Sequence, residues 1–112
     1  MTDLANEIEN IWERRDQLTT VEPEVDSVIH EAIDLLDTGK ARVAEYDTEN
    51  GVQVNEWLKL AILLLFRQSE MSVQEVGPFE FVDKIPLKKN YSASKVRVVP
   101  GASARWGRHQ AP

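Results

Sequence analysis

The segment that decides the fold is NEWLKLAILLLFRQ, residues 55–68. Its apolar residues recur at helical spacing, and in its second half they surround the helix almost completely. A helix from about Glu56 to Gln68 is therefore expected at the centre of the core, with Asn55 as its N-cap. The longest apolar run, Leu60 to Phe66, is much shorter than the roughly 20 residues that span a bilayer. A core helix is predicted, and no membrane anchor.

Two amphipathic helices are predicted before this segment. The first has apolar residues at helical spacing, namely Leu4, Ile8, Ile11 and Trp12. The second begins near Pro23, because proline is tolerated in a first helical turn, and ends at Gly39, which can adopt the left-handed conformation. Its apolar face comprises Val25, Val28, Ile29, Ala32, Ile33 and Leu36. These helices are expected to pack on the central one.

Short β elements are predicted around the third helix. Residues 41–46 and 51–54 are candidate strands separated by the turn signal Asn50-Gly51, and Met71 to Val76 is another, ended by Gly77-Pro78. Residues 79–87 mix apolar and charged side chains, which suits an extended segment on the core. Residues 95–99 are a further candidate strand.

These elements define an α+β fold. A small, mainly helical domain with three helices and a short β element is predicted over residues 1–87. Residues 88–112 form a basic connector with too few apolar side chains for a core of its own. The 112-residue length suits one domain of this size.

Charge is divided unevenly along the chain. Residues 1–83 contain all 19 acidic residues and 6 of the 13 Lys and Arg, whereas residues 84–112 contain the other 7 basic residues and no acid. A basic segment after an acidic body either meets anions or docks on its own domain. The chain has no cysteine and no secretory signal near Met1, which is compatible with the cytoplasm.

No self-contained catalytic or metal-binding motif is present in the sequence. His30 and His109 are far apart, and neither has the partner one helical turn away that a helical metal site needs. The acidic residues of the second helix, Asp34 and Asp37 among them, are interpreted as a solvated face. We therefore predict no catalytic residue, no metal and no bound cofactor in this chain.

The basic C-terminal stub leaves alternatives open. Trp106 lies between arginines with no evident core to enter, so it is either an interface anchor or a residue separated from its natural surroundings. The stub could make the chain a non-catalytic interaction module. Tyr91 and Trp106 could also stack on bases, but the strongly acidic body argues against nucleic acid as a partner.

Six segments follow one another in an order that resembles the N-terminal part of the tetrahydrodipicolinate N-succinyltransferases. They are Ile11–Arg15, Leu35–Gly39, Arg42–Glu45, Gln53–Arg67, Phe81–Leu87 and Arg97–Pro100. Each segment is weakly specific, and the order makes the resemblance fairly specific. It extends over nearly the whole chain.

The resemblance implies a function for the intact enzyme. Members of this family transfer a succinyl group from succinyl-CoA to ring-opened tetrahydrodipicolinate, a step of diaminopimelate and lysine synthesis. They are cytoplasmic homotrimers whose catalytic domain is a left-handed parallel β-helix. One substrate-binding residue carries over, Arg97 of the Arg-Val-Val-Pro run, whose guanidinium can bind a carboxylate through two parallel hydrogen bonds.

The resemblance also implies that the catalytic half is missing. Residues 101–112 resemble the first part-turn of the β-helix, and no hexapeptide repeat follows them. The chain is therefore expected to be a truncated N-terminal part, inactive alone, with succinyl-CoA as co-substrate of the full-length enzyme only.

Overall fold

The computed structural model describes residues 2–19 and 22–109 and has an α+β architecture. Its helices are α1 (Thr2–Glu13), α2 (Pro23–Thr38) and α3 (Glu56–Gln68), with a short 3-10 turn at Arg15–Gln17. Its strands are β1 (Ala44–Asp47), β2 (Gly51–Val54), β3 (Ser72–Val76) and β4 (Phe79–Asp83). In these described ranges, none of the helices combines the length and hydropathy needed to cross a membrane.

Helix α3 packs against both α1 and α2, as its apolar pattern predicts. Leu58, Ala61, Leu64 and Leu65 are buried, whereas Leu63 is 52% exposed, so one side of the helix faces solvent. Asn55 occupies the N-cap position of α3, as predicted, but its side chain makes no capping hydrogen bond. Its Nδ2 donates to the Arg42 carbonyl at 2.6 Å, which ties the start of α3 to the segment before β1.

The boundaries of α2 confirm the reading of its two terminal residues. Pro23 occupies the first turn, where a missing N–H costs nothing, and Gly39 ends the helix at φ +78°. The core that α2 shares with its neighbours is apolar throughout the described residues. Its members are Leu4, Ile8, Ile11, Val25, Ile29, Ala32, Ile33, Leu36, Ala41, Leu58, Ala61, Leu64, Leu65 and Ile85.

The predicted strands on either side of Asn50-Gly51 form an antiparallel hairpin. β1 pairs with β2 in a register that places Asp47 opposite Gly51, and β1 begins at Ala44 rather than at residue 41. The Asp47 carboxylate accepts from the Glu49 N–H at 3.0 Å and from Asn50 Nδ2 at 2.9 Å. These two bonds close the turn, as aspartate commonly does.

Residues 79–87 correct one expectation. β4 pairs with β3 around Gly77-Pro78, so its backbone hydrogen bonds are satisfied within a second hairpin. Phe79 and Phe81 are 65% and 40% exposed, and only Ile85 from this segment joins the buried core. Residues 79–83 are therefore extended, as predicted, but the prediction that they lie on the core is wrong.

Residues 95–99 do not form the predicted strand. The chain turns back on itself just before them, because the N–H groups of Ser94, Lys95 and Val96 donate to carbonyls of residues 90–92. Lys95 adopts φ +60°, which interrupts an extended run. The β-helix part-turn and the domain boundary at residues 87/88 stay predictions.

Candidate functional site

Arg97 lies on a loop, residues 89–103, that we call the Arg97 loop. Its side chain is exposed and forms no hydrogen bond or ion pair with any residue that the structure describes. An open hollow of about 420 Å³ lies beside it, and its lining includes Tyr91, Val98 and Ser103. An unpaired guanidinium in such a hollow can bind a carboxylate without first breaking a contact within the protein.

The Arg97 loop leaves the helical body through two short segments that we call the neck, residues 86–88 and 104–107. The Trp106 N–H donates to the Pro86 carbonyl at 2.9 Å, and the Lys88 N–H donates to the Ala104 carbonyl at 2.8 Å. Leu87 and Arg105 form an isolated antiparallel bridge between these bonds. The two ends of the loop are therefore held side by side.

Two carboxylates of α2 hold the neck. Lys88 Nζ lies 2.6 Å from Asp37 Oδ1, and the Gly107 N–H donates to the same oxygen at 2.9 Å. Trp106 Nε1 donates to Asp34 Oδ1 at 3.2 Å. Asp34 is exposed, as the prediction of a solvated acidic face requires, but that prediction is wrong for the partly buried Asp37. Both carboxylates bind the basic segment of their own chain.

Trp106 has a core to enter, contrary to the sequence interpretation. It is half-buried and packs against the hydrophobic core. Its ring also meets the ring of His30 edge to face, with centroids 5.2 Å apart. His30 itself is exposed on α2, as predicted, and His109 lies directly against Gly39.

Arg105 fixes the other side of the neck. Its Nε and Nη2 donate to the two oxygens of Asp83 at 2.6 and 2.7 Å, and its guanidinium lies 5.5 Å from the centre of the Phe66 ring. These hydrogen bonds, followed by one from the Lys84 backbone N–H, hold the pKa of the Asp83 carboxyl below its ordinary value of about 3.8. The charge asymmetry of the chain was the available sequence signal for this docking.

Among residues 2–19 and 22–109, no three His, Asp or Glu side chains are grouped so that they could hold a metal ion. The role of Arg97 in substrate binding stays a prediction.

The fold defines a small α+β domain that carries a basic loop on a helical body. The family model for the N-terminal region of tetrahydrodipicolinate N-succinyltransferase matches residues 3–68, which is more than half of the chain. The chain therefore belongs to the tetrahydrodipicolinate N-succinyltransferase family.

Curated relatives extend this similarity beyond the helices. A 2,3,4,5-tetrahydropyridine-2,6-dicarboxylate N-succinyltransferase of Pseudoalteromonas translucida is 44% identical over 115 residues, covering 96% of this chain and 41% of the relative. Enzymes of the same name from Aeromonas hydrophila and Coxiella burnetii are 43% and 42% identical, and each aligns with 100% of this chain and 43% of its own length. The chain spans about two-fifths of the length of these relatives.

Proposed function

We propose that this chain is the N-terminal part of an acyltransferase that moves succinyl from succinyl-CoA to tetrahydrodipicolinate, in the synthesis of diaminopimelate and lysine. The observation that carries the proposal is the 43% identity that extends over the whole chain to the Aeromonas enzyme. The intact enzyme is a cytoplasmic homotrimer with a left-handed β-helix catalytic domain. Succinyl-CoA binds outside the present chain.

Arg97 binds a carboxylate of the substrate in this proposal. The names of the relatives specify a dicarboxylate, and a guanidinium matches a carboxylate with two parallel charge-assisted hydrogen bonds. The exposure of Arg97 and its lack of a partner in the described parts of the chain support this role. A bidentate contact also explains why lysine would be a poor replacement.

The 112-residue chain is not catalytic by itself in this proposal. The test is to mix the purified chain with succinyl-CoA and tetrahydrodipicolinate and to measure release of free CoA thiol. No release above the rate without protein is expected. Activity that stays with the chain through purification would show that catalysis does not need the remaining three-fifths of the length of the relatives.

The alternative of an interaction module using the basic stub now has fewer side chains available. Arg105 and Lys88 are paired with Asp83 and Asp37, and Trp106 packs on the core. A test by substitution should therefore change Arg108, which is exposed, and leave the neck intact. Loss of a specific partner in that variant would favour the module over the acyltransferase part.

A further inference from the structure

We propose that Asp37 is a positioning residue for Arg97, because its carboxylate holds both segments of the neck and so fixes the loop that presents Arg97 to a substrate carboxylate. The proposal rests on the proposed function for the role of Arg97. The positioning contact itself stands on the geometry of the neck.

A single oxygen of Asp37 binds both sides of the neck. Lys88 Nζ at 2.6 Å belongs to the segment that enters the Arg97 loop, and the Gly107 N–H at 2.9 Å belongs to the segment that leaves it. The neck cannot separate from α2 without breaking both contacts. No other carboxylate among the described residues receives donors from both segments.

The Arg97 loop depends on the neck for its position. Every described hydrogen bond that a residue of the Arg97 loop forms is with another residue of the same loop. The loop therefore has internal shape, but its hydrogen-bonded connection to the helical body begins at Lys88 and Ala104. Closing a loop at its ends removes conformational freedom that a ligand would otherwise have to remove on binding.

The position of Asp37 at the end of α2 is unfavourable for a carboxylate in an isolated helix. Asp37 occupies the last turn of α2, which has no basic residue, and helix C-termini carry partial negative charge. Lys88 supplies the missing cation, and its Nζ also lies 3.4 Å from the Asp37 carbonyl oxygen. The side chains of Lys88 and Asp37 are only 14% and 24% exposed, so water screens the pair less than it would at the open surface.

The neck also fits closely against α2 beside this contact. Gly107 has φ +100°, and a Cβ built on it would lie 3.2 Å from Cγ2 of Ile33. Trp106 Nε1 reaches Asp34, one turn before Asp37 on the same helix. The carboxylate of Asp37 is thus the polar end of a contact surface that runs along α2.

The test compares Asp37→Ala with Glu31→Ala, which removes an exposed acid of the same helix that has no described contact with the neck. Amide hydrogen exchange is measured by NMR at Val96 in the loop, at Trp106 in the neck and at Leu64 in α3. Asp37→Ala is expected to speed exchange at Val96 and Trp106 by about tenfold or more relative to Glu31→Ala, with a much smaller change at Leu64, because the loss is local. If Asp37→Ala does not fold, Asp37→Asn and Lys88→Met replace it, and Lys88→Arg should restore slow exchange.

A titration with pimelate, a dicarboxylate with the seven-carbon chain of the ring-opened substrate, adds the functional measurement. Asp37→Ala is expected to weaken pimelate binding about threefold or more, since the loop is then less ordered before binding. Equal exchange at Val96 and Trp106 in Asp37→Ala and Glu31→Ala would overturn the positioning role. The role proposed for Arg97 fails separately if Arg97→Gln leaves pimelate binding unchanged or if the unmodified chain gives no pimelate shifts. In either case the exchange comparison still decides what Asp37 does.

Discussion

Replacing Gly107 by alanine tests whether the neck is seated on α2 as the structure shows. Gly107 has φ +100°, a region that costs a non-glycine residue about 1–3 kcal/mol. The added Cβ also lies 3.2 Å from Cγ2 of the buried Ile33, a tight contact in a packed core, where overpacking costs about 1–3 kcal/mol. The two effects together predict a loss of roughly 2–6 kcal/mol in the free energy of unfolding.

Gly101→Ala is the matched control, because Gly101 has φ +94° but nothing within 4 Å of the Cβ position. It carries the backbone strain without the contact to Ile33. Urea unfolding followed by far-UV circular dichroism measures both variants, and with m near 1–3 kcal/mol/M the midpoint of Gly107→Ala should fall by roughly 0.7 M or more. A loss for Gly107→Ala no greater than that for Gly101→Ala would refute the close seating of the neck on α2.

Three further outcomes are expected. Leu64→Ala should lower the free energy of unfolding by about 2–5 kcal/mol and the half-exposed Leu63→Ala by much less, and similar losses in urea titrations would contradict the orientation of α3. Because Arg105 lowers the pKa of Asp83, this carboxylate stabilises the fold above pH about 3.8, and its contribution disappears as the pH falls through the lower pKa of the folded state. The stability advantage over Asp83→Asn should therefore shrink on acidification below that value, and a constant difference between pH 6 and pH 3 would argue against the ion pair. Arg97→Lys should weaken pimelate binding in an NMR titration, because lysine cannot form the two parallel hydrogen bonds of the guanidinium. The urea midpoint should not change, because the side chain is exposed, and a lowered midpoint would show a structural role instead.

The helices follow from local signals in the sequence. Pro23 and Gly39 mark the ends of α2 through backbone properties that set proline and glycine apart from most other residues. The apolar stretch at residues 56–68 forms a helix because its apolar residues recur at helical spacing and because it is longer than a typical buried strand. The turn residues Asn50-Gly51 and Gly77-Pro78 likewise indicate where the two hairpins reverse direction.

The docking of the neck could not be derived from such local signals. Helical periodicity identifies which face of α2 is apolar, but it cannot show that Asp34 and Asp37 bind a segment about 70 residues further along the chain. The opposite charges of residues 1–83 and 84–112 made docking one of two open interpretations. The geometry of the neck, which determines where Trp106 packs, depends on contacts between distant parts of the chain.

The strand prediction for residues 95–99 is wrong for a related reason. Their alternating β-branched residues suit a strand, yet a strand needs a partner with free backbone groups. In the described ranges these residues have no ladder partner, and the turn at residues 90–96 uses the nearby hydrogen bonds internally. Arg97 consequently lies on a loop and not on a sheet.

The most direct measurement is a steady-state assay of a chimera in which this chain replaces the matching N-terminal 43% of the Aeromonas hydrophila relative. Release of CoA from succinyl-CoA is followed while the dicarboxylate substrate is varied, in the chimera and in its Arg97→Ala variant. The active chimera should lose affinity for the dicarboxylate in that variant, with a raised KM for that substrate and an unchanged KM for succinyl-CoA. A folded chimera without turnover would contradict the assignment of this chain as the substrate-binding N-terminal part of the enzyme. So would a chimera whose KM for the dicarboxylate is the same with and without Arg97→Ala.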